Sequence, residues 1–287
     1  MKNIVEISGL KKRYDNDFEL GEISLDIPSG CIIGLIGENG AGKTTLIKAM
    51  LDIINIDQGK VKIFGHDIKN NDALIKEEIG VVLDNMFFPE ILTPNDIGNV
   101  MKDIYKNWDQ KMFDKYLANF DLPKDKMIKT LSKGMRKKLE IVTAISHHPK
   151  LLILDEPTSG LDPVVRNDIL DIFLDFVQDE EHTILLSTHI TSDLEKLADN
   201  IIFIDHGKII LNENRDKLLD NYGVLRCDID RFDDIASEDI VSYKKNKYSY
   251  DVLVSNRDKI LKKYQDFVVD KITLDELMLL MIKGVKE

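Results

Sequence analysis

The sequence predicts an α/β fold built on a mainly parallel sheet, and three observations support this prediction. Apolar runs typical of buried strands alternate with segments of helical periodicity. A glycine-rich stretch joins one apolar run, residues 31–36, to a helical pattern at residues 45–51. A second apolar run, residues 151–154, leads into two consecutive carboxylates. Because ligand-binding groups collect at the carboxyl ends of parallel strands, these two segments also indicate a binding site.

Length and composition limit the class of protein. The 287 residues suffice for a main domain with a small second one. A net charge of −12 argues against a broad basic surface for nucleic acid, so no nucleic-acid partner is expected. No stretch approaches the roughly 20 apolar residues that span a bilayer. Cys31 and Cys227 offer no disulfide framework, which favours a cytosolic location.

The N-terminal residues 4–33 favour antiparallel β-structure. Residues 4–7 read as a short strand, and the segments 18–20 and 23–27 alternate apolar and polar side chains. Tyr14 lies in the polar segment 11–16, which is predicted to be a loop. A tyrosine there is either a surface aromatic or a ring that stacks on a flat base.

Residues 37–45 fit the phosphate-binding P-loop pattern, G-x-x-x-x-G-K-[ST]. A strand, a glycine-rich turn and a helix place backbone N–H groups around an anion at the positive end of the helix dipole. Lys43 can reach the β- and γ-phosphates, and the Thr44 hydroxyl can bind Mg²⁺. This pattern predicts a P-loop NTPase, and alone it allows many ATPases and GTPases. The predicted nucleotide-binding residues are Gly37, Glu38, Asn39, Gly40, Ala41, Gly42, Lys43, Thr44 and Thr45.

The middle of the chain changes to helical periodicity, which predicts a helical subdomain at about residues 90–147. Asp84 stands just before it, at the carboxyl end of the apolar strand pattern 79–83. A helix is predicted from the segment 131–135 to about His147. Its cluster of basic residues, Arg136, Lys137 and Lys138, is expected on a solvated face.

Two further strands carry polar groups to the edge of the sheet. The run 151–156 reads as a buried parallel strand that delivers Asp155 and Glu156, and the run 183–187 leads to His189. After about residue 220, short strands and helices predict a small C-terminal α/β extension, with a capping box before the apolar segment 277–281. The predicted domains are therefore residues 1–215 and 220–287.

Four further stretches form a specific combination, and with them the chain resembles the nucleotide-binding subunit of an ABC transporter, of the bacterial exporter-like type. All four occur in the family's order, and the resemblance covers residues 1 to about 215. They are the signature at 131–135, whose common form is L-S-G-G-Q, the Walker B strand at 151–156, the D-loop at 159–162 and the switch histidine His189. Tyr14 lies where the family places its base-stacking aromatic.

The resemblance implies ATP hydrolysis by a head-to-tail dimer that closes around two ATP molecules and powers a separate integral membrane permease. It implies three catalytic residues, namely Glu156 as general base, His189 on the γ-phosphate, and Lys43. Ser132 and Gly134 would contact the ATP held by a second nucleotide-binding subunit. The dimer is either a homodimer or a heterodimer. Mg²⁺ would be bound by Thr44, Asp155 and Asp84. The implied location is the inner face of the cell membrane, and the similarity of residues 273–284 to the tail of exporter-type subunits favours export.

Two positions depart from the family pattern. Asp84 stands where glutamine is usual, and Asn85 takes that role if the loop is shifted. In the signature, Lys133 and Met135 replace glycine and glutamine, and Lys133 is expected to be solvated.

The main alternative is a soluble ABC-type ATPase that acts in translation or DNA maintenance. The chain has one P-loop, and 89 residues separate Lys43 from Ser132 without sustained heptads, which is unlike the two-domain translation types and the coiled-coil DNA types. A binding module without hydrolysis is disfavoured because the implied catalytic residues are all present.

Overall fold

The computed structural model describes residues 2–14, 18–69, 72–84 and 88–285. The chain divides into two units, one of Met1–Ile190 with Ile202–Leu211 and the other of Thr191–Ile201 with Asn212–Glu287. The strands and helices are, in chain order, β1 (Asn3–Arg13), β2 (Glu19–Pro28), β3 (Ile32–Ile36), α1 (Lys43–Met50), β4 (Gln58–Ile63), β5 (His66–Asp67), α2 (Asp72–Glu77), β6 (Ile79–Val82), α3 (Pro94–Ile104), α4 (Gln110–Asn119), α5 (Lys133–Ile145), β7 (Leu151–Asp155), α6 (Pro163–Phe176), β8 (Thr183–Thr188), α7 (Thr191–Leu197), β9 (Asn200–Asp205), β10 (Lys208–Asn214), α8 (Arg215–Asn221), β11 (Gly223–Asp228), β12 (Ser242–Lys245), β13 (Ser249–Val254), α9 (Arg257–Lys263), β14 (Val268–Lys271) and α10 (Leu274–Lys283).

The first unit contains an antiparallel sheet in the strand order β2-β1-β4-β5. Strand β1 pairs with β2 on one side and β4 on the other, and its pairing with β2 continues to Arg13 opposite Glu19. The predicted loop therefore begins later than residue 11. Pairing with β2 as far as Arg13, and with β4 as far as Lys11, stabilises an extended backbone there despite the polar composition.

A six-stranded sheet, in the order β10-β9-β3-β8-β7-β6, forms the centre of the first unit. Strands β3, β8, β7 and β6 run parallel to their neighbours within this set. Every residue of β3, β7 and β8 is buried, which explains their continuous apolar runs. Ile36 pairs with Thr188 and Asp155 pairs with Ser187, so the carboxyl ends of these three strands meet at one edge. This arrangement confirms the predicted α/β fold with a parallel sheet.

Helices α3, α4 and α5, with a 3₁₀ turn at Ile128–Thr130, enclose an apolar cluster that includes Phe113 and Leu139. Lys137 and Lys138 lie on the buried side of α5, so the prediction of a solvated basic face was wrong for them. Lys137 lies 2.7 Å from the carboxylate of Glu140, and Lys138 lies 2.6 Å from that of Asp168. Ion pairing allows these ammonium groups to be buried, and sequence periodicity cannot reveal such pairing.

The second unit contains an antiparallel sheet in the order β12-β13-β11-β14. Leu225 and Val252 contribute to its apolar cluster. The predicted capping box is confirmed, because Thr273 and Glu276 exchange hydrogen bonds at the start of α10. Within the described ranges, every helix is too short or too polar to cross a lipid bilayer.

Candidate active site

The P-loop wraps tightly between β3 and α1. Gly37 has no space for a side chain, since a Cβ there would lie 2.3 Å from the carbonyl oxygen of Ile204. Gly42 precedes α1 with a φ of 112°, a conformation that side chains disfavour. Lys43, only 6% exposed, donates hydrogen bonds from Nζ to the carbonyl oxygens of Gly37 at 2.7 Å and Glu38 at 3.3 Å. The ammonium group of Lys43 thus lies close to the backbone of the P-loop.

Thr44 and Asp155 meet across the sheet edge. The Thr44 hydroxyl donates to Oδ2 of Asp155 at 2.7 Å. Asp155 is fully buried, and its Oδ1 has no hydrogen-bond partner in the described part of the chain. The same holds for the hydroxyl of Ser187, the residue that pairs with Asp155 in β8. This edge therefore carries buried oxygens with unused capacity to bind a ligand.

Glu156 lies between the P-loop and the segment after β8. Its backbone has a φ of 51°, rare for a residue with a side chain, and its N–H donates to the carbonyl oxygen of Ser187 at 2.9 Å. Oε1 lies 3.6 Å from Nζ of Lys43, and Oε2 lies 2.8 Å from Nδ1 of His189. Strained backbone of this kind persists where neighbouring contacts fix it, and it is frequent at functional sites.

An open cleft of about 530 Å³ lies over these groups. Its lining brings together most of the predicted binding residues, and it adds Phe18, which the sequence analysis missed. The lining residues are Tyr14, Phe18, Asn39, Gly40, Gly42, Lys43, Thr44, Thr45, Asp84 and Glu156. The rings of Tyr14 and Phe18 lie 6.4 Å apart and tilted, so two aromatic side chains face this cleft. Glu38 and Ala41 instead line a neighbouring cavity of about 520 Å³.

Asp84 reaches the cleft, as predicted for a group at the end of β6. Asn85, the alternative to Asp84, lies outside the described residues.

The signature residues do not line this cleft in the described chain. Ser132 caps α5 by accepting a hydrogen bond from the N–H of Met135 at 3.2 Å. Gly134 packs against α6, where a Cβ would lie 3.1 Å from Cγ1 of Val165. Lys133 is exposed, as expected, but its Nζ also donates to the carbonyl oxygen of Ser159 at 2.9 Å. The signature segment thus contacts the loop after Glu156 and is separate from the P-loop.

The residues at the sheet edge suit a magnesium ion. Mg²⁺ prefers hard oxygen ligands and usually takes one or two carboxylates, with phosphates and water completing the shell. Asp155 offers a buried oxygen without a partner, beside the hydroxyl of Thr44. The described residues contain no group of three or more His, Cys, Asp or Glu side chains that could hold a metal ion.

The chain is similar to known proteins in sequence and in fold. The sequence model of the family described as ABC transporter matches residues 20–159, which include the P-loop, the signature and Glu156. The chain is 28% identical to the ABC transporter ATP-binding protein YtrB of Bacillus subtilis (strain 168), over 91% of this chain and 90% of that protein. It is 32% identical to the bacitracin transport ATP-binding protein BcrA of Enterococcus faecalis, over 76% of this chain and 71% of that protein.

A solved structure described as the ATP binding subunit of an ABC transporter has the same fold. It matches with a TM-score of 0.68 and 25% identity, over 75% of this chain and 91% of the solved chain. The site geometry, the family match and these relatives lead to one assignment. The chain belongs to the ABC transporter family as an ATP-binding subunit, an ATPase whose activity is coupled to transport.

Proposed function

We propose that this subunit forms a head-to-tail dimer around two ATP molecules, hydrolyses them, and powers export through a separate membrane-spanning permease. The observation that carries the proposal is the convergence of Lys43, Thr44, Asp155, Glu156 and His189 at one sheet edge beside the cleft. These side chains come from segments far apart in the sequence. Their meeting supports phosphoryl transfer from a bound nucleotide.

The phosphates of ATP would lie over the P-loop. Backbone N–H groups and the dipole of α1 favour an anion there, and Lys43 would leave the carbonyl oxygens of Gly37 and Glu38 to reach the β- and γ-phosphates. Tyr14 and Phe18 line the same cleft, and we assign Tyr14 to stacking on the adenine.

Thr44 and Asp155 would hold Mg²⁺, with Asp84 as a further oxygen ligand from the end of β6. The bound ion would supply charge neutralisation on the phosphates. A negatively charged Asp84 in place of the family's glutamine would strengthen the protein's contribution to that ion.

Glu156 would orient the attacking water and accept its proton. Oε1 already has an ammonium neighbour in Lys43, and Oε2 contacts the ring of His189, so the carboxylate is held in position. His189 would then contact the γ-phosphate and link its presence to Glu156. Positioning and charge account for most of the catalysis of phosphoryl transfer.

Each complete site would need a second subunit. Ser132 and Gly134 do not line the cleft of their own described chain, and they lie at the N-terminus of α5, where an anion is favoured. In the proposed dimer they contact the ATP held by the partner's P-loop. Because the γ-phosphate then binds both subunits only in the closed state, ATP would drive closure.

Closure would move a membrane partner, and this subunit would then lie at the inner face of the cell membrane. The bacitracin transport relative supports a transport role, and the tail that resembles exporter-type subunits favours export. The alternative predicted from the sequence, a soluble ABC-type ATPase in translation or DNA maintenance, has no observation in its favour. It would keep the same hydrolysis mechanism without the permease.

Co-purification tests the transport proposal. We would tag the protein in its own cells, solubilise the membranes in mild detergent, and identify stoichiometric partners by mass spectrometry. We expect one multi-span membrane protein, recovered equally with a Lys43→Ala variant because the partner does not bind at the P-loop. Recovery only from the soluble fraction, with ribosomes or nucleic acid, would contradict the transport proposal and favour the alternative.

A further inference from the structure

Lys133, the signature residue that departs from the family's glycine, joins two parts of the site. It is the first residue of α5, and its Nζ donates to the carbonyl oxygen of Ser159 at 2.9 Å. The ammonium also covers Gly160, where a Cβ would lie only 2.6 Å from Nζ. One charged group therefore rests on two residues of the loop that follows Glu156.

That loop is also held at both ends. At one end, the N–H of Glu156 donates to Ser187, and the N–H of Ser159 donates to the carbonyl oxygen of Glu156 at 3.3 Å. At the other end, the Asp162 carboxylate accepts from the N–H groups of Val164 and Val165, both at 3.1 Å. Lys133 adds a contact from another element to the middle of this short segment.

The N-terminus of α5, which carries Lys133, packs closely against α6. Gly134 lies directly against Val165, where a Cβ would be 3.1 Å from Cγ1 and 3.3 Å from Cγ2. The first turns of α5 and α6 thus pack closely, and a methyl group added at Gly134 would displace the Val165 side chain by a few tenths of an ångström. A shift of the α5 N-terminus would be passed to the loop, because dense packing transmits displacement.

We propose that Lys133 is a positioning residue that couples the two ATP sites of the dimer. This inference rests on the proposed composite sites. In them, Ser132 and Gly134 act on the partner's ATP, while Glu156 of the same chain acts on its own. The bond from Lys133 to Ser159 connects these two groups inside one subunit. ATP at one site thereby orders Glu156 at the other, and the coupling is reciprocal.

The test compares Lys133→Met, which keeps the apolar stem and removes the donor, with Lys133→Arg, which restores a charged donor. Lys126→Met serves as the matched control, because Lys126 is an exposed lysine of the same helical region. We would measure the rate and Hill coefficient of ATP hydrolysis by the full chain, and the affinity of the monomer for a fluorescent ATP analogue.

We expect Lys133→Met to bring the Hill coefficient from clearly above one to about one, and to lower kcat about tenfold through misplacement of Glu156. The affinity of the monomer for the analogue should not change, because Lys133 does not line the cleft. Arginine should restore both quantities, and Lys126→Met should match the unmodified chain.

Four results would overturn the inference. The first is a Hill coefficient of one for the unmodified chain, and the second is a Lys133→Met variant that keeps the original rate and cooperativity. The third is a Lys133→Arg variant that restores neither quantity. The fourth is that Lys133→Met, added to the Glu156→Gln chain, raises the ATP concentration needed for dimer formation. The last would make Lys133 an ATP ligand. If the inference fails but the Glu156→Gln chain still dimerises with ATP, the proposed function stands. If no ATP-dependent dimer forms, the proposed function and the inference about Lys133 both fail.

Discussion

At the scale of single residues, the burial of Asp155 is unfavourable for the stability of the chain. A fully buried carboxylate with one unpartnered oxygen in the described chain is unfavourable, because desolvation is only partly offset by the Thr44 hydroxyl. A cation at that oxygen would remove the penalty. The residue is therefore expected to favour ligand binding over the stability of the chain alone.

Replacing Asp155 by asparagine should separate the effect of its charge on Mg²⁺ binding from its effect on the stability of the chain. We expect ATP hydrolysis to fall about 100-fold or more, since charge support for the metal is lost. ATP binding without Mg²⁺ should persist, but its strengthening by Mg²⁺ should disappear. The free energy of unfolding without nucleotide should stay constant or rise by about 1 kcal/mol. Nucleotide titrations with and without Mg²⁺, and urea unfolding, measure these quantities, with the exposed Asp103→Asn as control.

His147 is a second buried polar residue, outside the cleft. Its Nε2 lies 3.1 Å from the carbonyl oxygen of Ile79, and its ring stacks on Tyr105 at 3.9 Å. Burial lowers the pKa of this histidine to about 4, although the carbonyl of Ile79 and the charge of Glu77 act in the opposite direction. The folded chain therefore holds a neutral imidazole.

This shift predicts acid sensitivity. The pKa of His147 in the folded chain is below its unfolded value of about 6.5. The contribution of neutral His147 to the free energy of unfolding is therefore complete above pH 6.5 and is lost as the pH falls toward 4. Between pH 7 and pH 5, the unmodified chain should lose about 2 kcal/mol more unfolding free energy than His147→Gln. Urea unfolding at both pH values measures this difference. Equal losses of unfolding free energy in the two chains would contradict this account of His147.

At the scale of elements, the unit formed by β3, the P-loop and α1 depends on close approach of the backbone. A side chain at Gly37 would meet the carbonyl oxygen of Ile204 in β9. Gly65, in the turn between β4 and β5, instead has a φ of 79° and open space around it. The two glycines therefore serve different physical requirements.

Alanine at each position tests that difference. Gly37→Ala should lower the free energy of unfolding by about 2–3 kcal/mol through overpacking and should weaken ATP binding. Gly65→Ala should cost about 1 kcal/mol, the strain of a left-handed residue, and leave ATP binding unchanged. Urea unfolding and nucleotide titration give both values. Equal losses of stability would contradict this account of the P-loop.

Short sequence motifs correctly predicted the elements that are formed by residues adjacent in the chain. The P-loop, the Walker B strand β7 and the capping box of α10 all follow from residues adjacent in the chain. The extension of β1 to Arg13 and the burial of Lys137 and Lys138 depend on partners far away in sequence, so periodicity did not predict them. Contacts between elements are the part that a single sequence does not specify.

At the scale of the whole molecule, the parallel sheet explains why the predicted site residues meet. Strands β3, β7 and β8 run side by side, so Lys43, Glu156 and His189 emerge at one edge. The sequence could predict this grouping from the rule for parallel sheets. It could not predict Phe18 in the cleft or the contact of Lys133 with Ser159, because those depend on how loops fold back.

Two such subunits are proposed to close around ATP, and Glu156 would then act as the general base of hydrolysis. The most direct test of this proposal is the molar mass of Glu156→Gln in solution, measured by light scattering with and without ATP and Mg²⁺. Glutamine keeps the size of the side chain but cannot accept the proton from water, so hydrolysis should fall about 100-fold or more. We predict that ATP doubles the mass of this variant and that Lys43→Ala abolishes the effect. A monomeric Glu156→Gln chain at saturating ATP, or near-normal turnover, would contradict the account.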